Sequence, residues 1–219
     1  MESLKPKMGL KHIEALKKTP FYIYFDMPKL NTSFIRIEAI LRRFDVKKLS
    51  FIFGEDVEVP FVASEFSMVL GLQQVGQSVD VKLKMESLTV ARLFGGQFKN
   101  VNRSNIAKKL EKFVNKESEE ALGDFSRLYI LLVFNCILFP TSNYWTPRFL
   151  LPYLDDLSRI GLYAWGEAAY SFIVDDMRSH CGGETGEDAP KKYLDGCTVG
   201  LTVGVLFILI TILLLFMIC

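Results

Sequence analysis

The spacing of apolar and polar residues predicts a mainly helical chain with one short β-hairpin. Apolar residues recur every three or four positions in a set of predicted helices, over residues 31–44, 64–70, 86–94, 104–115, 124–139, 147–162 and 165–180. A further amphipathic helix is expected within residues 1–19, because Pro20 disfavours helix in the residue before it. Residues 49–61 instead contain two β-branched or aromatic runs around Gly54, which favours a hairpin with Pro60 at an edge or a strand end.

The most apolar of these helices lies over residues 124–139. Its stretch 128–139 is uncharged and almost entirely apolar, so we expect it to be buried on every side. As a helix, this stretch spans only about 18 Å, less than the roughly 30 Å hydrocarbon core of a bilayer. The helix is therefore expected at the centre of a globular domain.

Aromatic and arginine side chains complete the expected core. The aromatic residues predicted to be buried are Trp165, Trp145, Phe66 and Phe125. The arginines close to the apolar helices are expected to satisfy helix ends or buried acids, and these are Arg127, Arg148 and Arg159. The resulting fold class is a compact, mainly α, multi-helix single domain with one small β-hairpin.

The hydropathy pattern divides the chain into three parts. Residues 1–180 form the predicted helical domain, and residues 181–195 form a polar, Gly-rich linker. Residues 196–219 contain no charge, and as a helix they would reach about 36 Å, enough to cross a membrane. Gly196, Gly200 and Gly204 repeat every four residues, which would give this helix a small-residue face for pairing.

The flanking charges predict the orientation of this segment. Lys191 and Lys192 precede it, so the positive-inside rule places the globular part in the cytosol, as in a single-pass protein with a C-terminal tail. The first twenty residues are charged throughout and contain no apolar signal region, which agrees with that location. The alternative is that the tail is an intron translated in frame, in which case the protein is soluble and nuclear.

Composition and charge restrict the function classes. Half of the residues are apolar, which excludes disorder for most of the chain, and the net charge is +1. The first fifty residues, however, contain eleven lysines and arginines against five acids. This basic quarter, from Lys5 to Lys48, leaves binding to nucleic acid or anionic lipid open, although a solvated helix face explains the same pattern.

No residue pattern points to catalysis, to a cofactor or to a metal. Only His12 and His180 are available as imidazoles, and the adjacent His180 and Cys181 are too close in sequence to chelate one ion together. Cys136 falls within the buried helix and is expected to act as a small apolar side chain. We therefore predict a non-enzymatic protein with no catalytic, cofactor-binding or metal-binding residues.

Two further patterns have structural explanations. The carboxylate pairs are adjacent residues, Asp155 with Asp156 and Asp175 with Asp176, and adjacent residues do not share one face of a helix. The pair Gly95-Gly96 follows a helix and lacks the Lys-Ser or Lys-Thr of a phosphate-binding loop, so it is expected to end that helix.

An ordered series of short motifs resembles a known family. The series comprises Thr19-Pro20-Phe21, FIFG at 51–54, VPF at 59–61, SEFSMVLGL at 64–72, RLYIL at 127–131, LFP at 138–140, YAWG at 163–166, AAY at 168–170 and LDGCTVGLT at 194–202. In this order the motifs resemble the plant-specific domain of transposon-associated proteins, which comprises the aminotransferase-like plant mobile domain and a related domain found fused to SUMO-protease-like domains. The resemblance ends near Val203.

The resemblance implies an ancestral role in mobile elements or nuclear gene silencing, and it implies no known active site. Phe66, Leu72, Trp165 and Gly166 belong to the shared pattern as structural residues. The expected function is a protein-interaction domain derived from a plant mobile element, with a membrane anchor. The alternative is a soluble nuclear protein associated with nucleic acid or silencing and truncated from a longer relative.

Overall fold

Two compact units make up the chain in the computed structural model, which describes residues 5–28, 33–54, 57–181 and 193–207. Unit 1 comprises Met1–Pro28 and Gln77–Tyr163, and unit 2 comprises Lys29–Gly76 and Ala164–Cys219. Each unit is therefore assembled from two separate stretches of sequence. The predicted organisation as a single domain over residues 1–180 stays a prediction.

Unit 1 is helical. Its α-helices are α1 (Leu10–Lys17), α4 (Leu88–Phe94), α5 (Arg103–Phe113) and α6 (Glu119–Val133), and α6 continues into a π-helical turn, Phe134–Leu138. Short 3-10 turns complete the unit at Lys5–Lys7, Pro20–Tyr24, Phe98–Asn100, Arg148–Leu150, Pro152–Leu154 and Ile160–Leu162. Helices α1 and α5 both pack on α6.

Helix α6 is the core of unit 1, as its composition predicts. Ser118 caps its first turn by accepting a hydrogen bond from the Ala121 amide, so the helix begins before the predicted Asp124. With the π turn, α6 forms a 20-residue helix, Glu119–Leu138, of mean hydropathy 1.6. By length and composition alone it is apolar enough to cross a membrane, but 67% of its most apolar window is buried in the protein.

Unit 2 combines helices with a small sheet. Its elements are α2 (Phe34–Leu41), β1 (Phe44–Asp45), β2 (Ser50–Phe53), β3 (Val57–Pro60), α3 (Ala63–Val69), α7 (Trp165–Cys181) and a C-terminal helix, α8 (Thr198–Phe207). The sheet is antiparallel in the order β1-β2-β3, with Phe51 paired to Phe44 on one side and to Val59 on the other. The predicted hairpin is confirmed, Pro60 ends an edge strand, and β1 is an additional strand.

Helices α3 and α7 form the closest contact in unit 2. Trp165 is 1% exposed, and Gly166 lies against the backbone of Ser67. The Tyr170 hydroxyl donates a 2.6 Å hydrogen bond to the Phe61 carbonyl, which joins α7 to the end of β3. The assignment of Phe66 and Trp165 to the core is thus confirmed, because Phe66 is 2% exposed.

Three predictions about the fold are wrong. Residues 147–162 do not form one helix, since Pro152 and the surrounding loop restrict them to isolated 3-10 turns. The helix predicted over residues 31–44 ends at Leu41, because Phe44 pairs with Phe51 in the sheet. Trp145 was expected in the core and is 47% exposed, because it lies in a surface loop rather than in a helix.

Candidate functional site

Within unit 2, the C-terminal helix α8 and the residues before it pack against α3 and α7 through two glycines. Gly196 has a φ of 103°, and a Cβ at this position would lie only 3.0 Å from the Ile173 Cα on α7. A Cβ on Gly200 would lie 2.8 Å from the Leu70 side chain and 3.1 Å from the Phe66 ring. Both glycines therefore allow the chain to approach α3 and α7 more closely than any other residue would.

One side of α8 is buried and the opposite side is exposed. Leu201 and Val205 are 0% and 5% exposed, whereas Leu206 and Phe207 are 50% and 67% exposed. A Cβ on Gly204 would meet no atom within 4 Å. Of the three glycines expected to form one pairing face, Gly196 precedes the helix, Gly200 is used in docking and Gly204 faces open space.

Asp176 on α7 holds the segment that leads into α8. The Asp195 amide donates a 2.8 Å hydrogen bond to the Asp176 carboxylate. The His180 imidazole lies 3.3 Å from the same carboxylate, and its Nδ1 is 3.1 Å from the Asp176 carbonyl oxygen. Asp176 therefore attaches the segment before α8 to α7, and His180 contacts Asp176 from the same helix. Residues 182–192, most of the predicted linker, lie outside the described residues.

An apolar cavity of about 300 Å³ adjoins the last turn of α8. It is lined by Ala39, Ile40, Arg43, Phe51, Phe53 and Val205. The Arg43 guanidinium lies 5.8 Å from the centre of the Phe53 ring, close enough for a cation–π contact. Among the described residues that line this cavity, Arg43 is the one with a charge.

Unit 1 carries a second distinctive surface, formed by residues 98–103 and 144–148. Within it, residues 101–103 pair in antiparallel fashion with residues 144–146. The Arg103 amide donates to the Tyr144 carbonyl at 3.3 Å, and the Thr146 amide donates to the Val101 carbonyl at 3.1 Å. Between them, Asn102 is paired with Trp145. At the far end, the Arg148 guanidinium stacks 4.2 Å from the centre of the Phe98 ring. We call these paired segments the aromatic–basic ladder.

A buried asparagine holds residues 144–146 of the ladder in place through hydrogen bonds. Asn135, in the π turn that follows α6, is 3% exposed and donates to the Tyr144 carbonyl at 3.2 Å and to the Thr146 hydroxyl at 3.0 Å. Tyr144 has a φ of 61°, a left-handed conformation that is unfavourable for tyrosine. The rings of Tyr144 and Trp145 are nevertheless held at the surface, 63% and 47% exposed.

A buried charge network in unit 1 has a structural role. Asp124 is 5% exposed and pairs with Arg92 and, at 3.5 Å, with Arg127. Burial raises the pKa of the Asp124 carboxyl, and the two arginines oppose that rise. Arg127 also donates to the Leu154 carbonyl at 2.9 Å, so the expectation that it satisfies a buried acid and a helix end is confirmed.

The family model for a domain of unknown function, DUF8566, matches residues 6–202, which is most of both units. The chain belongs to the DUF8566 family. Comparison with curated proteins finds no match, and comparison with solved structures finds none. The DUF8566 match ends within α8, so it includes the docking residues Gly196 and Gly200 but not the residues from Val203 onward.

The remaining candidate residues of this DUF8566 domain are placed as follows. Burial raises the pKa of the Cys136 thiol, which favours the neutral form over a nucleophilic thiolate. Asp155 accepts hydrogen bonds from the Leu88 and Thr89 amides at 2.9 and 2.8 Å and so caps α4. The structure does not describe the Cys181 side chain.

The other carboxylates and the Gly-Gly pair also have local partners. Asp156 accepts from the Ser158 amide and hydroxyl, and Asp175 pairs with Arg178. Gly95 ends α4 in the left-handed conformation, as predicted for a C-terminal cap. Within residues 5–28, 33–54, 57–181 and 193–207, no group of three or more His, Cys, Asp or Glu side chains is arranged to hold a metal ion.

The basic first quarter is divided between the two units and partly neutralised. Its ion pairs are Lys5 with Asp26, Lys11 with Glu117, Arg42 with Glu38 and Lys48 with Glu58. The Lys17 ammonium lies over the Tyr22 ring at 5.8 Å. The sequence pattern predicted this quarter as a candidate surface but missed the aromatic–basic ladder, whose two segments are about forty residues apart in sequence.

Proposed function

We propose that this chain is a non-enzymatic interaction domain that attaches to a membrane through residues 196–219. One observation supports the proposal. Helix α8 has apolar side chains on both of its sides, but only one side packs against the rest of unit 2. Its other side exposes Val203, Leu206 and Phe207, which are 47%, 50% and 67% exposed. The residues that follow, 208–219, contain no charge. The hydrocarbon core of a membrane would bury both the exposed apolar side of α8 and the uncharged residues after it.

Docking and membrane crossing are mutually exclusive states in this proposal. While α8 is docked, only residues 208–219 of the predicted span are available, and as a helix they would reach about 18 Å. That is less than the roughly 30 Å of a hydrocarbon core. Crossing by residues 196–219 therefore requires release of Gly196, Gly200 and Leu201 from α3 and α7. With Lys191 and Lys192 on the cytosolic side, the units remain in the cytosol.

The non-enzymatic part of the proposal rests on the uses already made of the reactive side chains. Asp155 caps a helix, Asp176 accepts a hydrogen bond from the segment before α8, and His180 contacts Asp176. Burial raises the pKa of the Cys136 thiol, which disfavours a nucleophilic thiolate. Protein partners would then be bound by surface contacts.

We further propose that the domain derives from a plant mobile element. The ordered motifs from Thr19 to Thr202 support this origin, and they extend over nearly the same residues as the DUF8566 match. If the tail is instead translated intron, the alternative is a soluble nuclear protein. Sequencing the spliced transcript across the codons for residues 196–219 separates the two, because the membrane proposal requires those codons in mature message.

The membrane proposal is tested by loosening α8 with one substitution. Gly200→Leu places a side chain where Leu70 and Phe66 already lie, whereas Gly204→Leu adds the same apolar group facing open space. Release is followed by alkylation of Cys197, which is 0% exposed while α8 is docked. Membrane attachment is followed by flotation of the full chain with vesicles of phosphatidylcholine and phosphatidylserine.

We expect Cys197 to be alkylated rapidly in the Gly200→Leu variant. We also expect a larger fraction of this variant to float with the vesicles than of the unmodified chain or of Gly204→Leu. Equal flotation of the two variants would show that added apolarity, not release, controls attachment. If Gly200→Leu exposes Cys197 and still remains at the bottom of the gradient, the membrane is not what α8 binds, and the proposal is wrong.

A further inference from the structure

We infer that the aromatic–basic ladder of unit 1 binds single-stranded nucleic acid. This inference is independent of the membrane proposal, because it concerns residues 98–103 and 144–148 and not the C-terminal helix. It concerns a different surface from the basic first quarter, for which binding to nucleic acid stays a prediction. The ladder presents exposed rings and cations on two segments that the backbone holds side by side.

The charge of the ladder favours a polyanion. Residues 97–110 contain Lys99, Arg103, Lys108 and Lys109 and no acid, and residues 136–154 contain Arg148 and no acid. Lys99, Arg103 and Arg148 are all exposed. Guanidinium and ammonium groups of this kind neutralise phosphates, and the release of counterions then drives binding.

The aromatic residues decide between a nucleic acid and an acidic peptide. Tyr144 and Trp145 expose large flat surfaces beside Arg103, and Phe98 presents a ring that already stacks with Arg148. Unpaired bases stack on such rings whatever their sequence, whereas bases within a duplex are not available to do so. The combination of rings and cations therefore fits a single strand.

The loop is built so that these rings stay exposed. A hydrogen bond from the buried Asn135 holds the Tyr144 carbonyl, and the Thr141 hydroxyl donates to the Trp145 carbonyl at 2.8 Å. The left-handed conformation of Tyr144 is unfavourable and has to be maintained by these contacts. Strain retained at an exposed pair of aromatic residues points to a binding role rather than to packing.

A cavity extends the ladder beyond its far end. It has a volume of about 290 Å³ and is lined in part by Phe98, Arg148 and the hydroxyl-bearing Ser87. Glu86 also lines it. A base that leaves the Phe98 ring would meet apolar groups in this cavity, such as Val90 and Leu151, because the Ser87 hydroxyl is already bonded to Asp155.

The inference is tested on the full chain with fluorescently labelled oligo-dT and oligo-U, and with a duplex of equal length. The chain contains two tryptophans, and Trp165 is buried, so a base stacked on Trp145 is expected to quench the exposed part of the intrinsic fluorescence. We expect Trp145→Ala to weaken binding by about five-fold to 150-fold. Trp145→Phe should retain most of the affinity while losing the quenching.

The electrostatic part is tested by the salt dependence. Arg103→Gln should lower the slope of log affinity against log salt by about 0.7, the value for one phosphate contact on a single strand. Lys112→Gln is the matched control, because Lys112 is exposed in the last turn of the same helix, away from the ladder. It should bind like the unmodified chain.

Three results would overturn the inference. The first is the absence of binding to either oligonucleotide at low salt. The second is binding that Trp145→Ala leaves unchanged, since this would reflect charge alone. The third is displacement of the oligonucleotide by poly-glutamate at equal charge, with equal affinity for both, since this would identify the ladder as a surface for acidic peptides. Thermal melts of all variants should coincide, because each altered side chain is exposed.

Discussion

Gly166, at the start of α7, lies so close to Ser67 of α3 that a side chain there would contact the Ser67 backbone. A Cβ on Gly166 would be 2.9 Å from the Ser67 Cα, closer than real side chains approach. The contact joins two helices from the separate stretches of sequence that form unit 2. The close approach gives a physical reason why glycine, and no residue with a side chain, fits at position 166.

We predict that Gly166→Ala destabilises the protein. The added methyl group must push α3 and α7 apart, and overpacking of this kind costs about 1–3 kcal/mol of unfolding free energy. Denaturant unfolding measures the loss. The matched control is Gly161→Ala, because a Cβ on Gly161 would lie 4.0 Å from its nearest neighbour, at ordinary contact distance. Equal stability of Gly166→Ala and the unmodified chain would show that the two helices are not this close.

A second prediction concerns the cap of α4. Asp155 accepts hydrogen bonds from two amides at the start of that helix and from the Ser87 hydroxyl at 2.9 Å. Because hydrogen bonds to a charged group contribute about 1.5–3 kcal/mol, Asp155→Ala should lower the free energy of unfolding by about 2 kcal/mol. The neighbouring Asp156 is exposed and bonds only within its own turn, to Ser158. Asp156→Ala should therefore change stability by less than about 0.5 kcal/mol.

The third prediction is a pKa. The Lys48 ammonium donates a 2.7 Å hydrogen bond to Glu58 across the β2–β3 hairpin, and with the Ser50 hydroxyl it lowers the pKa of the Glu58 carboxyl. Because the pKa of Glu58 is lower in the folded than in the unfolded state, this pair stabilises the fold at a pH above the pKa of the unfolded state. The stabilisation is lost as the pH falls through the pKa of the folded state. NMR titration should therefore give a pKa below that of a free glutamate.

Substitutions of two adjacent lysines test the cause of this shift. Lys48→Met should raise the Glu58 pKa toward its ordinary value, since it removes the hydrogen bond that lowers this pKa most. Lys47→Met should leave it near the value in the unmodified chain, because Lys47 is not among the groups that lower the Glu58 pKa. If both substitutions raise the pKa equally, general charge and not the hydrogen bond explains the shift.

The sequence predicts those parts of the fold that depend on local patterns. Helix α6 is recognised from its continuous apolar stretch, and the end of α4 is recognised from Gly95. The spacing of leucines over residues 147–162 also fits a helix, but this spacing takes no account of Pro152. In the structure these residues form only short turns. Where local signals agree with tertiary packing, prediction succeeds.

Both candidate surfaces depend on contacts between distant residues, and hydropathy does not detect these. A window over residues 196–219 measures how apolar they are, but the surfaces that receive Gly196 and Gly200 lie on α7 and α3. In the same way, Trp145 is exposed because residues 144–146 pair with residues 101–103. Aromatic residues in a sequence are expected inside on average, and this pairing reverses that expectation for Trp145.

The last prediction follows from the strained backbone of Tyr144. A left-handed conformation costs a residue with a Cβ about 1–2 kcal/mol, and glycine adopts it without that cost. Tyr144→Gly should therefore raise the free energy of unfolding by about 1 kcal/mol. Tyr144→Phe, which keeps the Cβ and the ring, should leave stability unchanged.

The same two variants connect this strain to binding. Tyr144→Gly should bind oligo-dT more weakly although it is more stable, because it lacks an exposed ring of the ladder. Tyr144→Phe should bind like the unmodified chain. A Tyr144→Gly variant that is both less stable and unchanged in binding would contradict the argument, since the tyrosine would then contribute to packing and not to recognition. A gain in stability with a loss of affinity is the outcome expected when a surface residue is strained for function.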